Sequence, residues 1–125
     1  MKRVLVVEDN KNNMRLLVKL LNKHGYETIK AETGEKGVQL AIEKKPDLIL
    51  MDIKLPGIDG MEATKRIRAS KSGGKVPIIA ITSYAMAGDR DKYLKEGFTG
   101  YIEKPIDPYK IIEEVEEIWR KKSKS

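Results

Sequence analysis

The sequence predicts an α/β fold: a doubly wound, five-stranded parallel sheet with helices on both faces. Two observations carry this. Short apolar runs of strand length alternate with longer segments of helical periodicity along all 125 residues. The runs Val4–Val7 and Leu48–Met51 are also apolar at every position, as buried parallel strands are. A chain of this length bounds the answer to one domain. We expect that domain over residues 1–121, with a polar tail at 122–125.

Arg3–Val7 reads as the first strand. Lys11–Lys23 places Met14, Leu17, Val18 and Leu21 at helical spacing, Leu16 and Leu20 widen the face, and Gly25 stops the helix. Tyr26–Ala31 alternates as a second strand. Thr33 serves as N-cap for a helix through Lys44, expected to bury Val38, Ala41 and Ile42, and Pro46 ends it. Asp47–Met51 is almost wholly apolar, which marks a central third strand. The loop Leu55-Pro56-Gly57 follows Asp52, and a third helix then runs from near Asp59 to Ala69. Ser72-Gly73-Gly74 breaks the chain before a fourth strand, Val76–Ile81. A fourth helix is expected from Met86 to Glu96, ended by Gly97, and a fifth strand over Thr99–Ile102. Asp107-Pro108 joins a capping residue to a proline at the first helical position. The last helix is expected to bury Ile111, Ile112, Val115, Ile118 and Trp119, with Lys121–Ser125 a frayed polar end.

Composition removes several function classes. Hydrophobic residues at 40% and charged residues at 35% supply one core and argue against a disordered tail. No apolar run approaches the roughly 20 residues needed to span a bilayer. Met1-Lys2-Arg3 leads directly into the first strand, with no signal peptide, so the chain is expected in the cytoplasm. The absence of cysteine excludes disulfides, zinc–cysteine sites, iron–sulfur clusters and thiol catalysis. A single histidine, His24, stands beside a helix end and reads as structural. The net charge of +6 is spread over scattered lysines, without a clustered basic helix or interleaved aromatics, so a solvated surface is favoured over nucleic-acid binding.

Right-handed crossovers place helices on both sides of such a sheet. Two strand orders are usual, and the shorter five-stranded one is 2-1-3-4-5. Ligands then sit at the carboxyl ends of the strands, where the order reverses. The first strand ends in Glu8-Asp9, the third in Asp52, the fourth in Thr82-Ser83 and the fifth in Lys104-Pro105. With strands one and three adjacent, three carboxylates converge. Their mutual repulsion asks for a hard divalent cation with oxygen ligands, and magnesium suits the set. A carboxylate beside such an ion is able to attack a phosphoryl group. Asp52, after the central strand, is the best nucleophile; the Lys104 ammonium and Thr82 hydroxyl would meet the phosphoryl oxygens.

These fragments resemble the receiver domains of bacterial and archaeal response regulators. The resemblance rests on Val6-Val7-Glu8-Asp9-Asn10, Pro46-Asp47-Leu48-Ile49-Leu50-Met51-Asp52, Leu55-Pro56-Gly57 with Asp59-Gly60, Ile81-Thr82 with Ala85, and Tyr101-Ile102-Glu103-Lys104-Pro105. It implies a flavodoxin-like (βα)5 domain of two-component signalling that takes a phosphoryl group from a histidine kinase or histidine phosphotransfer protein. By that resemblance Asp52 is the phosphoacceptor. Asp9 is a direct magnesium ligand, Glu8 the second acid, and Lys54 lends its backbone carbonyl. Thr82 and Tyr101 form the switch, Lys104 pairs with the phosphoryl group, and the Lys104–Pro105 bond is cis. Lys54 and Tyr84 flank the acceptor and suggest a long-lived aspartyl phosphate. The resemblance is to receivers of hybrid kinases and to single-domain relay regulators, so an excised receiver stays open beside a stand-alone one. A monomer is expected, with a phosphorylation-dependent dimer left open. The enzyme alternative, an aspartyl-nucleophile phosphatase, would want a general acid where Lys54 stands.

Overall fold

The computed structural model describes residues 2–71, 73–83 and 89–124. Five parallel strands, β1 (Arg3–Val7), β2 (Glu27–Ala31), β3 (Leu48–Asp52), β4 (Ile78–Thr82) and β5 (Gly100–Glu103), form one sheet in the order β2-β1-β3-β4-β5. Helices α1 (Lys11–Lys23), α2 (Gly34–Lys44), α3 (Gly60–Ala69), α4 (Asp89–Lys95) and α5 (Ile111–Lys124) follow the strands in turn. Tyr84 and the expected helix opening at Met86 lie outside the described residues.

The central strands β1, β3 and β4 are apolar over most of their length because both faces are covered, whereas the edge strands β2 and β5 carry exposed charged residues. Val4, Val6, Leu48 and Leu50 point to one side, where Met14, Leu17 and Leu21 of α1 meet Ile111 and Val115 of α5. Leu5, Val7, Ile49 and Met51 point to the other, against Ala41 of α2, Ala63 and Ile67 of α3, and Tyr93 of α4. Side chains that alternate across each strand thus feed two separate apolar layers.

Local chemistry sets the helix starts. The side chains of Asn10, Thr33 and Asp59 accept hydrogen bonds from the backbone N–H groups of Asn13, Lys36 and Glu62, at 2.9, 3.1 and 2.8 Å. Asp107 starts the approach to α5: its Oδ1 accepts from the Tyr109 N–H at 2.9 Å, and its carbonyl from the Ile111 N–H at 2.9 Å. Pro108 falls where its missing N–H costs nothing.

Several expectations need correction. Ile42 is not buried but 41% exposed. The inner face of α2 is Gly34, Gly37 and Ala41 instead. A Cβ on Gly37 would lie 2.9 Å from a Val7 methyl, so the helix sits too close to the sheet for a larger contact face. α5 continues to Lys124, through most of the residues expected to form a frayed tail. Ile118 and Trp119 are half-buried at the edge of the core, not inside it. β3 extends one residue further than expected and so includes Asp52.

Candidate functional site

The acidic site grows out of strand register. Val7 of β1 pairs with Met51 of β3, and Asp52 pairs with Ile81 of β4. Glu8 and Asp52 therefore leave neighbouring strands at the same height. Glu8 is held by its own N–H to the Ala31 carbonyl at 3.0 Å and by its Oε2, which accepts from the Asn10 N–H at 3.1 Å. Behind Asp52 the chain turns on Gly60: a Cβ there would fall 2.3 Å from the Asp52 carbonyl oxygen, so only glycine fits.

One oxygen from each of Glu8, Asp9 and Asp52 lies within 4.8 Å of the others. Glu8 is 1% and Asp52 4% exposed, while Asp9 is exposed. Lys104, after β5, reaches across two strands. Its Nζ donates to Asp52 Oδ1 at 3.1 Å and stands 3.7 Å from Glu8 Oε1. The Lys54 N–H also donates to Asp52 Oδ1, at 3.3 Å. Burial first, then hydrogen bonding to and repulsion from Asp52, push the Glu8 carboxyl up to about 7, against the pull of the Asn10 amide and Lys104.

Glu8 Oε1 is buried and accepts no hydrogen bond. A buried carboxylate oxygen left this way is costly, and three acids sharing one space add repulsion. One Lys104 cannot neutralise three carboxylates. A divalent cation with oxygen ligands fits the set: it would give that oxygen, which has only the Lys104 ammonium at 3.7 Å, a direct partner and cancel the excess charge.

Thr82 ends β4 in full burial, 1% exposed. Its Oγ1 lies 2.9 Å from the hydroxyl of Tyr93, itself only 4% exposed. The Tyr93 ring packs against Tyr101 with centroids 5.7 Å apart, and edge-on against Phe98 at 5.8 Å. Tyr101 is half-buried. The Lys104–Pro105 peptide bond is cis, and the Lys104 N–H donates to the Thr82 carbonyl at 2.8 Å. Tyr93 is a residue of this site that the sequence pattern did not single out. The available signal was an aromatic on α4 with Phe98 five residues on, an apolar pair directed at the sheet.

Residues 4–116 match the response regulator receiver domain family. The chain belongs to that family. The receiver is 43% identical, over 114 residues, to the polar-differentiation response regulator DivK of Brucella ovis, covering 91% of this chain and 93% of that protein. It also superposes on the receiver domain of a Pseudomonas aeruginosa sensor histidine kinase, a structure with a magnesium ion coordinated in its active-site cleft. That match has a TM-score of 0.84 and 36% identity, over 99% of this chain and 98% of the other. The chemotaxis response regulator CheY4 of Vibrio cholerae shares the fold at a TM-score of 0.89, with 24% identity over 94% of this chain and 98% of that one. The receiver is thus a signalling domain of two-component systems. Among its described residues, no helix is long and apolar enough to cross a membrane.

Proposed function

We propose that the receiver accepts a phosphoryl group on Asp52 from a phosphohistidine of a histidine kinase or histidine phosphotransfer protein, in the cytoplasm and with magnesium. The observation that carries this is the acidic cluster itself: Glu8, Asp9 and Asp52 within 4.8 Å, one buried oxygen without a hydrogen bond, and a single lysine bridging two of the acids.

The Glu8 and Asp9 carboxylates, one oxygen of Asp52 and the Lys54 carbonyl would hold the ion. Magnesium, when bound, offsets the carboxylate charge and the charge on the phosphoryl oxygens. The chain does the rest. Asp52 attacks phosphorus, an O–P bond forms, and the N–P bond of the donor breaks with its electron pair leaving on the imidazole. Lys104 is already at hydrogen-bond distance from Asp52 Oδ1 and is placed to follow the charge onto the phosphoryl group. Phosphorylation adds about 1.5 to 2 negative charges and three acceptor oxygens at this rim. Thr82 would then donate toward them, and Tyr101 would turn into the space behind. A partner protein that prefers one position of this surface reads the state.

The same geometry argues against the phosphatase alternative. A hydrolase needs a general acid near the leaving group, and the residue two beyond Asp52 is the exposed Lys54. The test is intact mass after incubation with a small phosphodonor and magnesium. One added phosphoryl group is expected, lost in Asp52→Asn and lost without metal. No adduct in wild type under any of these conditions overturns the reading.

A further inference from the structure

We propose that Tyr93 is a positioning residue for the switch: its phenol holds Thr82 in the resting position and must let go before Thr82 serves a phosphoryl group on Asp52. This rests on the receiver reading above.

Thr82 and Tyr93 are 1% and 4% exposed, so the hydroxyl pair 2.9 Å apart is closed to bulk water. Inside such a site a hydrogen bond gains little net energy when made, but a polar group stripped of its partner costs much more. Thr82 closes β4 one residue beyond Ile81, the register partner of Asp52. A phosphoryl group on Asp52 would draw Thr82 Oγ1 toward the acidic rim. Tyr93 lies instead on the α4 layer, against Tyr101 and Phe98. One oxygen cannot move toward the rim and keep its 2.9 Å contact with a phenol in that layer.

The bond to Tyr93 therefore acts as a brake on the switch, and it also couples two movements. When Thr82 leaves, the phenol loses that contact, and any shift of its ring changes the surface on which Tyr101 rests at 5.7 Å. Tyr93 thus links the hydroxyl at the end of β4 to the aromatic on β5 and to α4 itself. Its role is to position Thr82, and no step of the chemistry is assigned to it.

The experiment titrates beryllofluoride, a phosphoryl mimic, with magnesium present, into wild type, Tyr93→Phe, Thr82→Ala and the double variant. Asp52→Asn is the control. Tyr93→Phe keeps the ring and removes only the hydroxyl. It should bind the mimic about fivefold more tightly, the worth of one neutral hydrogen bond. That gain should vanish in the Thr82→Ala background, which a purely structural role for the ring would not produce. The Tyr101 ring resonances should move less on binding in Tyr93→Phe than in wild type, the coupling having been cut. Unchanged or weaker binding by Tyr93→Phe overturns the proposal, as does the same gain with or without Thr82. Failure of wild type itself to bind the mimic, matching Asp52→Asn, would instead overturn the receiver chemistry and the brake with it.

Discussion

The two ends of the sheet treat polar groups in opposite ways. At the amino end, where Lys2 enters β1 and α5 draws to its close, polar tips close on one another. The Tyr26 hydroxyl donates to Glu116 Oε2, the Tyr26 and Trp119 rings meet at 5.9 Å, and Lys2 Nζ lies 5.1 Å from the Trp119 ring centre. At the carboxyl end, three carboxylates crowd together, and a buried oxygen of Glu8 has no hydrogen-bond donor. The first arrangement holds the chain; its groups serve each other. The second costs stability and is sustained by the two apolar layers beneath it. A fold that satisfies polar groups at one end and leaves them under-satisfied at the other has been shaped there for something it does not itself contain. Binding and catalytic sites are where such strain collects.

The sharpest way to break that comparison is Asp52→Asn. It should abolish the phosphoryl adduct altogether, while thermal unfolding shows stability unchanged or raised, because a like charge beside Glu8 is gone. A large loss of stability would mean that the carboxyl end is, after all, built for the fold. Magnesium should act next most strongly. At an ion concentration of 100 times its dissociation constant, wild type should gain about 2.7 kcal/mol in unfolding free energy. Asp9→Asn should lose most of that gain, as read by melting with and without the ion, since it removes the exposed member of the cluster.

How much of this was legible in the sequence differs between the same two ends. The acids at the strand ends were readable because topology alone carries them: once β1 and β3 are neighbours, residues at their carboxyl ends must meet. Strand runs such as Leu48–Met51 were readable for a similar reason, since burial on both faces leaves no other pattern. What escaped were contacts set by helix placement. Tyr93 reads as one aromatic in a helix; only the packing of α4 brings its hydroxyl to Thr82. Ile42 looked like core because α2 was assumed to present its largest residues inward, whereas Gly34 and Gly37 bring that helix too close. Arg68 gave no sign either. Its guanidinium donates to the carbonyls of Gly73, Val76 and Gly97, at 3.0, 2.5 and 2.9 Å, and ties the chain after α3 to the turn before β5. No spacing rule links one arginine to three distant carbonyls. Trp119 shows the reverse error: its helical position marked it as core, but it is half-buried against the core's edge, where it also meets Tyr26 and Lys2.

At the satisfied end the effects should be smaller and should leave phosphorylation alone. Tyr26→Phe removes the donor to Glu116 and should cost about 1 kcal/mol near neutral pH. Burial and the Glu116 carboxylate push the Tyr26 phenol up from 10.0 to about 12. The folded state therefore keeps its proton where the unfolded chain gives it up. That contribution is fully present below pH 10 and is lost as pH rises through about 12. Wild type should accordingly lose stability relative to Tyr26→Phe across that window, and the ultraviolet absorbance of the Tyr26 phenolate should appear late. A phenolate forming near pH 10 would show that the Glu116 contact is not made in solution.

The smallest effect expected is at Lys2. Its ammonium sits over the Trp119 ring, but the side chain is exposed, so the cation–π contact should contribute only about 0.5 kcal/mol. A lysine also lays an apolar stem along an aromatic face, and the two contributions separate by choice of substitution. Lys2→Met keeps most of the stem and removes the charge; Lys2→Ala removes both. If the charge carries the contact, the two variants should lose nearly the same stability in chemical denaturation. A loss confined to Lys2→Ala would assign the contact to packing instead. In that case the amino-end corner would be held by Tyr26, Glu116 and the apolar cover of Trp119, and its contrast with the acidic rim would rest on one hydrogen bond.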